Sequence, residues 1–271
     1  KQHLQQIEDL NPAESDYEEN LRAQVDELVK TMPLQNRTAL THYVARRKLV
    51  LELFDKILRK QLEIQKITNR NIDEKLLHNL IFQQSSDNPE KSDLWLINED
   101  FIYFRGKSEG QLGQIEIDGQ KIFKEDFTIN EEEYIKSLGE NRLKKKPDIL
   151  LFPSEGKCII IEFKNPEVNV GLHLNQINRY ASLIRNFSIN DLQIDTFYGY
   201  LIGEGIIPQE VRSFDGDFKE SYKFDYLFRP SKTIPGESNR SDGSLYTEVI
   251  KYTTLLERAI LRNNIFINKL T

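Results

Sequence analysis

The sequence predicts an α/β protein of the α+β type, with helices at both ends and strands between them. Apolar residues recur at helical spacing from 16 to about 66, where Pro33 predicts a break between two helices. Beyond this region, short β-branched and apolar runs bounded by turn residues predict strands. We therefore expect an N-terminal helical region, 1–68, followed by a second domain, 69–271.

The second domain alternates between predicted strands and helices. A helix is expected to begin near Asn71 or Asp73, and the segments DLWLI and FIYFRG are typical of strands. A hairpin is expected in QIEIDGQKIF, and the stretch 146–164 predicts strand, turn and strand. A helix over 170–186, strands in DTFYGYLIG and YKFDYLFRP, and a closing helix over 245–270 complete the prediction.

Composition excludes several classes of protein. The chain has 271 residues, of which 38% are hydrophobic and 30% charged, and its formal net charge is −6. This charge argues against coating nucleic acid by bulk attraction, although it leaves a local basic groove open. The single cysteine, Cys158, excludes an internal disulfide and a cysteine-based zinc site.

The sequence also predicts a location. No stretch reaches the ~18 to 20 apolar residues that a membrane helix needs, and the amino terminus lacks a secretion signal. We therefore expect a cytoplasmic protein with no membrane partner. The chain starts at Lys1 rather than at methionine, which indicates a fragment or a processed product with a segment missing upstream.

Chemistry is concentrated at the end of one predicted strand. Side chains alternate across a strand, so Ile160, Glu162 and Lys164 share one face. Asp148 begins the preceding strand of the same hairpin and lies beside Glu162 if the register is right. Two such carboxylates can hold Mg²⁺ or Mn²⁺, and the lysine can orient an attacking water or stabilise charge on phosphorus.

The Glu-x-Lys pattern is weak without its context. Glu155-Gly156-Lys157 is a second instance, but it is not preceded by an apolar strand. Glu162 and Lys164 instead end a run of three isoleucines that follows Pro-Asp at the length of a hairpin. The plain alternative is an exposed strand end with an ordinary ion pair, worth about 0 to 1 kcal/mol.

Pro147-Asp148, Glu162-Phe163-Lys164, and Gln176 with Tyr180 on the next helix together resemble the PD-(D/E)XK nuclease superfamily, in the subset that carries the QxxxY pattern. The resemblance covers about 71–202. It implies a restriction-endonuclease-like mixed sheet flanked by helices, followed here by a C-terminal helix. It also implies metal-dependent hydrolysis of DNA phosphodiester bonds.

The resemblance assigns a role to each matching residue. Asp148 and Glu162 would be metal ligands, with the main-chain carbonyl of Phe163 as a further ligand, and Lys164 would be the catalytic lysine. Gln176 and Tyr180, one helical turn apart, would touch the scissile phosphate, the waters on the metal or the DNA backbone. The cofactor would be Mg²⁺ or Mn²⁺.

Residues outside the motif leave alternatives open. Many members of the superfamily supply an acidic residue from the first core helix; Glu74 is either that residue or a solvated helix charge, and His78 is better explained as packed than as a ligand. A basic run before Pro147 either meets the DNA backbone or is a solvated loop. The run comprises Arg142, Lys144, Lys145 and Lys146.

Four segments flank the motif: ARRKLVLELFDKIL, HNLIF, SDLWLINEDF and LLERAILRNNIFINKL. They resemble parts of bacterial defence proteins that follow GHKL-type ATPase modules, which implies an ATPase module upstream or in trans. The sequence thus predicts a Mg²⁺-dependent deoxyribonuclease, an effector in bacterial antiviral defence or DNA processing. Cutting both strands of a duplex needs two active sites, which is compatible with a homodimer. The alternatives are a nuclease-like module that binds nucleic acid without cleaving it, and an enzyme of another class in which Glu162 and Lys164 form a structural ion pair.

Overall fold

The computed structural model describes residues 16–67, 72–117, 119–137, 142–153, 155–189 and 192–268. Contacts divide the chain into two units, Lys1–Leu49 with Asn263–Thr271, and Val50–Arg262. The division at residue 68 that the sequence suggests stays a prediction. No helix among the described residues is both long and apolar enough to cross a bilayer.

The N-terminal residues are helical, as predicted. Helix α1 spans Tyr17–Thr31, helix α2 spans Leu34–Leu58, and Pro33 lies between them. The main-chain N–H of Met32 donates to the Leu28 carbonyl at 3.1 Å, which closes α1 before the proline. Proline lacks an N–H and restricts the residue before it, so the break falls where the sequence predicts it.

Short helices and strands alternate through the rest of the chain. The further helices are α3 Glu63–Ile67, α4 Asp73–Ile81, α5 Ile129–Ser137, α6 Leu174–Phe187, α7 Pro208–Phe214 and α8 Tyr252–Ile267. The strands are β1 Arg105–Ser108, β2 Glu116–Ile117, β3 Gln120–Lys121, β4 Ile149–Phe152, β5 Lys157–Phe163, β6 Thr196–Gly203, β7 Lys219–Glu220, β8 Tyr226–Ile234 and β9 Gly243–Lys251.

The described strands form a mixed sheet, which confirms the predicted fold class. Seven of them lie in the order β1-β4-β5-β6-β9-β8-β7, and β2 and β3 form a separate hairpin. The pairs β5–β6 and β6–β9 are parallel, and the outer pairs are antiparallel. The parallel centre places the ends of β5, β6 and β9 at the same edge of the sheet.

One face of the sheet packs against α6 and forms the main core. Ile160 on β5 and Leu201 on β6 lie on this face, against the buried apolar side of α6 that includes Ile177 and Ile184. The alternating residues, including Phe163, point to the opposite face. The β5 strand is therefore buried on both sides, which explains why its sequence is a nearly continuous apolar run.

Gly199 on β6 lets α6 lie close to the sheet. A Cβ atom at this position would lie 2.5 Å from Cγ2 of Ile177. We expect Gly199→Ala to lower the free energy of unfolding by about 1 to 3 kcal/mol, because the helix must shift to relieve the overlap. Urea denaturation measures the loss. Gly216→Ala is the matched control, since no atom lies within 4 Å of its added Cβ; equal stability of the two variants would contradict this packing.

Three predicted segments are wrong in whole or in part. DLWLI and most of FIYFRG form 3₁₀ turns, Leu94–Leu96 and Glu99–Tyr103, and only the end of the second segment enters β1. Buried side chains rather than strand pairing account for their apolar character, since Trp95 is buried and donates its indole N–H to Asp93 at 2.7 Å. The segment predicted as one helix over 245–270 begins as strand β9, and α8 starts only at Tyr252.

Candidate active site

Asp148 and Glu162 meet at the end of the β4–β5 hairpin. The register pairs Ile149 with Ile161, so Asp148 lies opposite Glu162, as the motif requires. The main-chain N–H of Asp148 donates to Oε1 of Glu162 at 3.3 Å, and the N–H of Phe163 donates to Oδ2 of Asp148 at 2.6 Å. Each carboxylate is thus held by a main-chain N–H from the other arm of the hairpin.

Lys164 and Gln176 converge on one oxygen of Glu162. Nζ of Lys164 lies 3.1 Å from Oε2 of Glu162, and Nε2 of Gln176 donates to the same oxygen at 2.5 Å. Gln176 also lies 3.5 Å from the hydroxyl of Tyr180, which is itself buried in the core. The structure therefore joins four predicted residues in one network: Glu162, Lys164, Gln176 and Tyr180. Tyr180 contacts this network through Gln176.

The two carboxyl groups are held where their charged forms are poorly solvated. Burial raises the pKa of Asp148 to about 6, and the positive charge of Lys164 opposes this. Burial and the negative charge of Asp148 raise the pKa of Glu162 to about 8, again against Lys164. A cation placed between these groups would relieve both effects.

Two further residues with possible ligand atoms lie near Asp148. His78, Glu109 and Asp148 each offer one ligand atom, and these atoms lie within 4.8 Å of one another. We call these three residues the metal cluster, because their ligand atoms are close enough to hold a cation. Nε2 of His78 is paired with the Ser108 hydroxyl at 2.8 Å, and Nδ1 lies 4.0 Å from Glu109. Burial lowers the pKa of His78 to about 4, so the ring is neutral at neutral pH and can bind a cation.

Helix α4 supplies two side chains to this region. Glu74 and His78 are four residues apart and share a helix face. Glu74 is half-buried, and its negative charge contributes to the raised pKa of Asp148. His78, expected from the sequence to be merely packed, is buried, lies against the Phe163 ring and belongs to the metal cluster.

Glu109 is held in an uncommon backbone conformation. Its φ is +50°, in the left-handed region, where a non-glycine residue costs on the order of 1 kcal/mol. The N–H of Glu109 donates to the Asp148 carbonyl at 2.9 Å, and its carboxylate accepts from Gln84 at 2.5 Å. These two bonds bring the carboxylate from the end of β1 to the metal cluster.

The donor set fits a divalent cation. Acidic side chains outnumber bases around Asp148 among the described residues, since Glu74 and Glu109 raise its pKa and Lys164 is the one cationic side chain that opposes them. Carboxylates alone suit Mg²⁺, and the imidazole of His78 adds a ligand that suits Mn²⁺ and later transition metals better. Asp148 belongs to both the predicted ligand pair and the metal cluster.

The basic run lies on the surface next to Asp148. Lys144, Lys145 and Lys146 are exposed, and the side chain of Arg142 lies outside the described residues. The Lys145 carbonyl accepts from the N–H of Leu112 at 3.0 Å, which ties the run to a neighbouring 3₁₀ turn. The lysines therefore lie directly before Pro147 and Asp148, which precede strand β4.

Two of the cavities among the described residues bear on the position of a substrate. A shallow groove of about 250 Å³ at the start of α6 is lined by His173, Gln176 and Arg179, and it touches the Glu162 network through Gln176. A larger open cavity of about 1150 Å³ lies against Tyr198 and Tyr200, and none of the predicted site residues lines it. The groove is the better candidate for substrate access, because only it reaches a side chain that contacts Glu162.

Sequence reasoning missed Glu109 and Ser108. Neither belongs to the nuclease motif, and both follow from the antiparallel pairing of β1 with β4, which places Ser108 opposite Ile149. A polar residue after a short strand was the only signal available. Comparison with protein-family models, curated proteins and solved structures gave no match, so membership of the PD-(D/E)XK superfamily stays a prediction.

Proposed function

We propose that the protein is a metal-dependent nuclease of the PD-(D/E)XK type that hydrolyses phosphodiester bonds in DNA. The observation that carries this proposal is the placement of Asp148 opposite Glu162, with Lys164 and Gln176 both bonded to Glu162. These groups come from two strands and one helix, and an exposed ion pair would need none of this convergence.

Each residue has a task in the proposed reaction. Asp148 and Glu162, with the main chain of Phe163, would hold the cation, which would polarise a phosphoryl oxygen and acidify a bound water. Lys164 holds its ammonium group beside Glu162 and can stabilise the negative charge that develops on phosphorus. Gln176 fixes the Glu162 carboxylate and lines the groove by which a phosphate would approach.

The proposed substrate and setting follow from the sequence predictions. The lysine run 144–146 favours a polyanion, and we keep DNA as the substrate. A cytoplasmic location, a homodimer, an ATPase module upstream or in trans, and a role in bacterial antiviral defence or DNA processing belong to the same proposal. The ATPase module and the role in defence or DNA processing rest on the sequence resemblances, and the homodimer rests on the need for two active sites to cut both strands.

DNA cleavage tests the proposal directly. Supercoiled plasmid and linear DNA are incubated with the protein in Mg²⁺, in Mn²⁺ and in EDTA. We expect nicking or degradation with either metal and none in EDTA. Cleavage that continues at the same rate in EDTA would contradict the proposed mechanism.

The lysine run gives a separate prediction on binding. Replacing all three lysines of 144–146 with alanine is expected to weaken DNA binding about tenfold at low salt. The slope of log affinity against log salt should fall by about 0.9 for each phosphate that a lysine no longer neutralises. Fluorescence anisotropy at several salt concentrations measures both quantities. The matched control replaces three other exposed lysines, Lys91, Lys219 and Lys223. An equal effect in both triple variants would mean that the run makes no specific contact.

A second candidate is a nuclease-like module that binds nucleic acid without cleaving it. Both oxygens of Glu162 and one oxygen of Asp148 already accept hydrogen bonds from the chain, and these bonds compete with a cation. The two candidates differ in one measurement. A binding module retains DNA affinity but shows no metal-dependent cleavage.

A further inference from the structure

Tyr252 is a buried tyrosine at the first position of α8, outside the part of the chain that resembles a nuclease. Its side chain is fully enclosed, with 0% exposure. The ring lies parallel to the Phe163 ring, with 6.3 Å between centroids and 15° between planes, and the Phe163 ring lies 5.1 Å from the His78 ring. Tyr252 therefore belongs to the packing around the metal cluster.

The hydroxyl of Tyr252 has no hydrogen-bond partner of good geometry among the described residues. The main-chain N–H of Lys164 lies near the phenol oxygen, but it donates to the Ile202 carbonyl at 2.7 Å. Leaving a buried hydroxyl unpaired costs about 1 to 3 kcal/mol, and the great majority of buried polar side-chain atoms are paired. A phenylalanine would fill the same space without this cost. The hydroxyl is therefore explained best by a partner that binds beside it.

The charges near this hydroxyl identify the kind of partner. Burial, and then the negative charges of Glu74 and Asp148, hold the pKa of Tyr252 well above that of a free phenol. The unpaired hydroxyl thus lies in a negatively charged environment, and the Tyr252 ring stacks on Phe163, which packs against His78 of the metal cluster. A hydrated divalent cation satisfies both features, since it neutralises the carboxylates and offers water oxygens to a hydroxyl donor.

We infer that Tyr252 is a positioning residue of the metal centre, whose hydroxyl donates a hydrogen bond to the coordination sphere of a divalent cation held by His78, Glu109 and Asp148. The inference rests on the proposed function only in requiring a cation at Asp148. It adds a residue from the C-terminal helix to the site.

The test compares the full chain with Tyr252→Phe in thermal denaturation, in EDTA and in saturating Mn²⁺, together with a Mn²⁺ titration. In EDTA the variant is expected to melt at the same temperature as the unmodified chain or higher, because an unpaired hydroxyl is removed. Its Mn²⁺ affinity is expected to fall about 3- to 10-fold, as for the loss of one hydrogen bond. The Mn²⁺-induced rise in Tm shrinks accordingly.

Tyr246→Phe is the matched control, because the Tyr246 hydroxyl donates to Glu248 and lies outside the metal cluster. We expect it to lower the Tm in both conditions and to leave Mn²⁺ affinity unchanged. Equal Mn²⁺ affinity in Tyr252→Phe and the unmodified chain would overturn the role of Tyr252 and leave the proposed nuclease standing. Absence of Mn²⁺ binding by the unmodified chain would overturn both.

Discussion

Replacing Glu162 with glutamine, or Lys164 with methionine, is expected to lower the rate of metal-dependent DNA cleavage by about 100- to 1000-fold. The glutamine keeps the shape of Glu162 and its bond to Gln176 but removes a charged oxygen that would bind the cation. The methionine keeps the packing of the lysine stem but removes the only ammonium group bonded to Glu162 among the described residues. Single-turnover cleavage of plasmid at saturating Mg²⁺ measures both effects.

The second Glu-x-Lys sequence of the chain provides the matched control. Glu155 and Lys157 are ion-paired at 2.6 Å in an exposed turn, at the opposite end of β5 from Glu162. Glu155→Gln and Lys157→Met remove the same chemical groups and are expected to leave the cleavage rate unchanged. Equal effects at the two sequences would show that the Glu162 network has no special role.

Stability in the absence of metal is expected to fall by about 1 to 2 kcal/mol as the pH rises from about 6.5 to about 8. Burial raises the pKa of Glu162 to about 8, well above that of an unfolded glutamate. In this window the folded chain retains a proton that the unfolded chain has released. Raising the pH therefore favours the unfolded state, and above about 8 the effect is complete.

Asp148 and His78 titrate at lower pH than Glu162, which explains why the expected loss of stability is assigned to Glu162 only above about pH 6.5. The pKa of Asp148 is raised to about 6, so its contribution to the loss lies mostly below pH 6.5. The pKa of His78 is lowered to about 4, so the unfolded chain binds more protons between about 4 and 6.5, and stability rises with pH there. Below pH 6.5 the titrations of Asp148 and His78 therefore change the stability in opposite directions. Above pH 6.5 the titration of Glu162 dominates the change in stability.

Urea denaturation in EDTA at several pH values measures this slope. Glu162→Gln is expected to flatten it, and Glu155→Gln to leave it unchanged. Saturating Mn²⁺ is expected to reduce or reverse it, because the cation replaces the proton on the carboxylates. A slope that persists in Glu162→Gln would contradict the assignment of the raised pKa to this residue.

Much of the site could be predicted because it is local in sequence. The β4–β5 hairpin is short, so the alternation of side chains and the length of the turn place Asp148 opposite Glu162. Gln176 and Tyr180 follow from helical periodicity on the next element. The break at Pro33 is equally local, because proline restricts its own backbone and that of its neighbour.

The parts that could not be predicted depend on contacts between distant segments. Glu109 reaches Asp148 only because β1 pairs with β4, and Tyr252 reaches Phe163 only because β9 lies beside β6 at the centre of the sheet. Short apolar runs were a further source of error, since a buried 3₁₀ turn around Trp95 and a strand have similar composition. Over 245–270 the apolar residues have a spacing that is compatible with a helix, so strand β9 was not recognised.

Binding of Mn²⁺ to the unmodified chain and to Asp148→Asn, measured by isothermal titration calorimetry near neutral pH, tests the central claim most directly. Asp148 belongs to both ligand sets, and the measurement does not depend on the choice of DNA substrate. The expected result is saturable binding that Asp148→Asn weakens by about tenfold or more, as for loss of a charged ligand. Absence of saturable binding, or equal binding by the two proteins, would contradict a metal centre at Asp148.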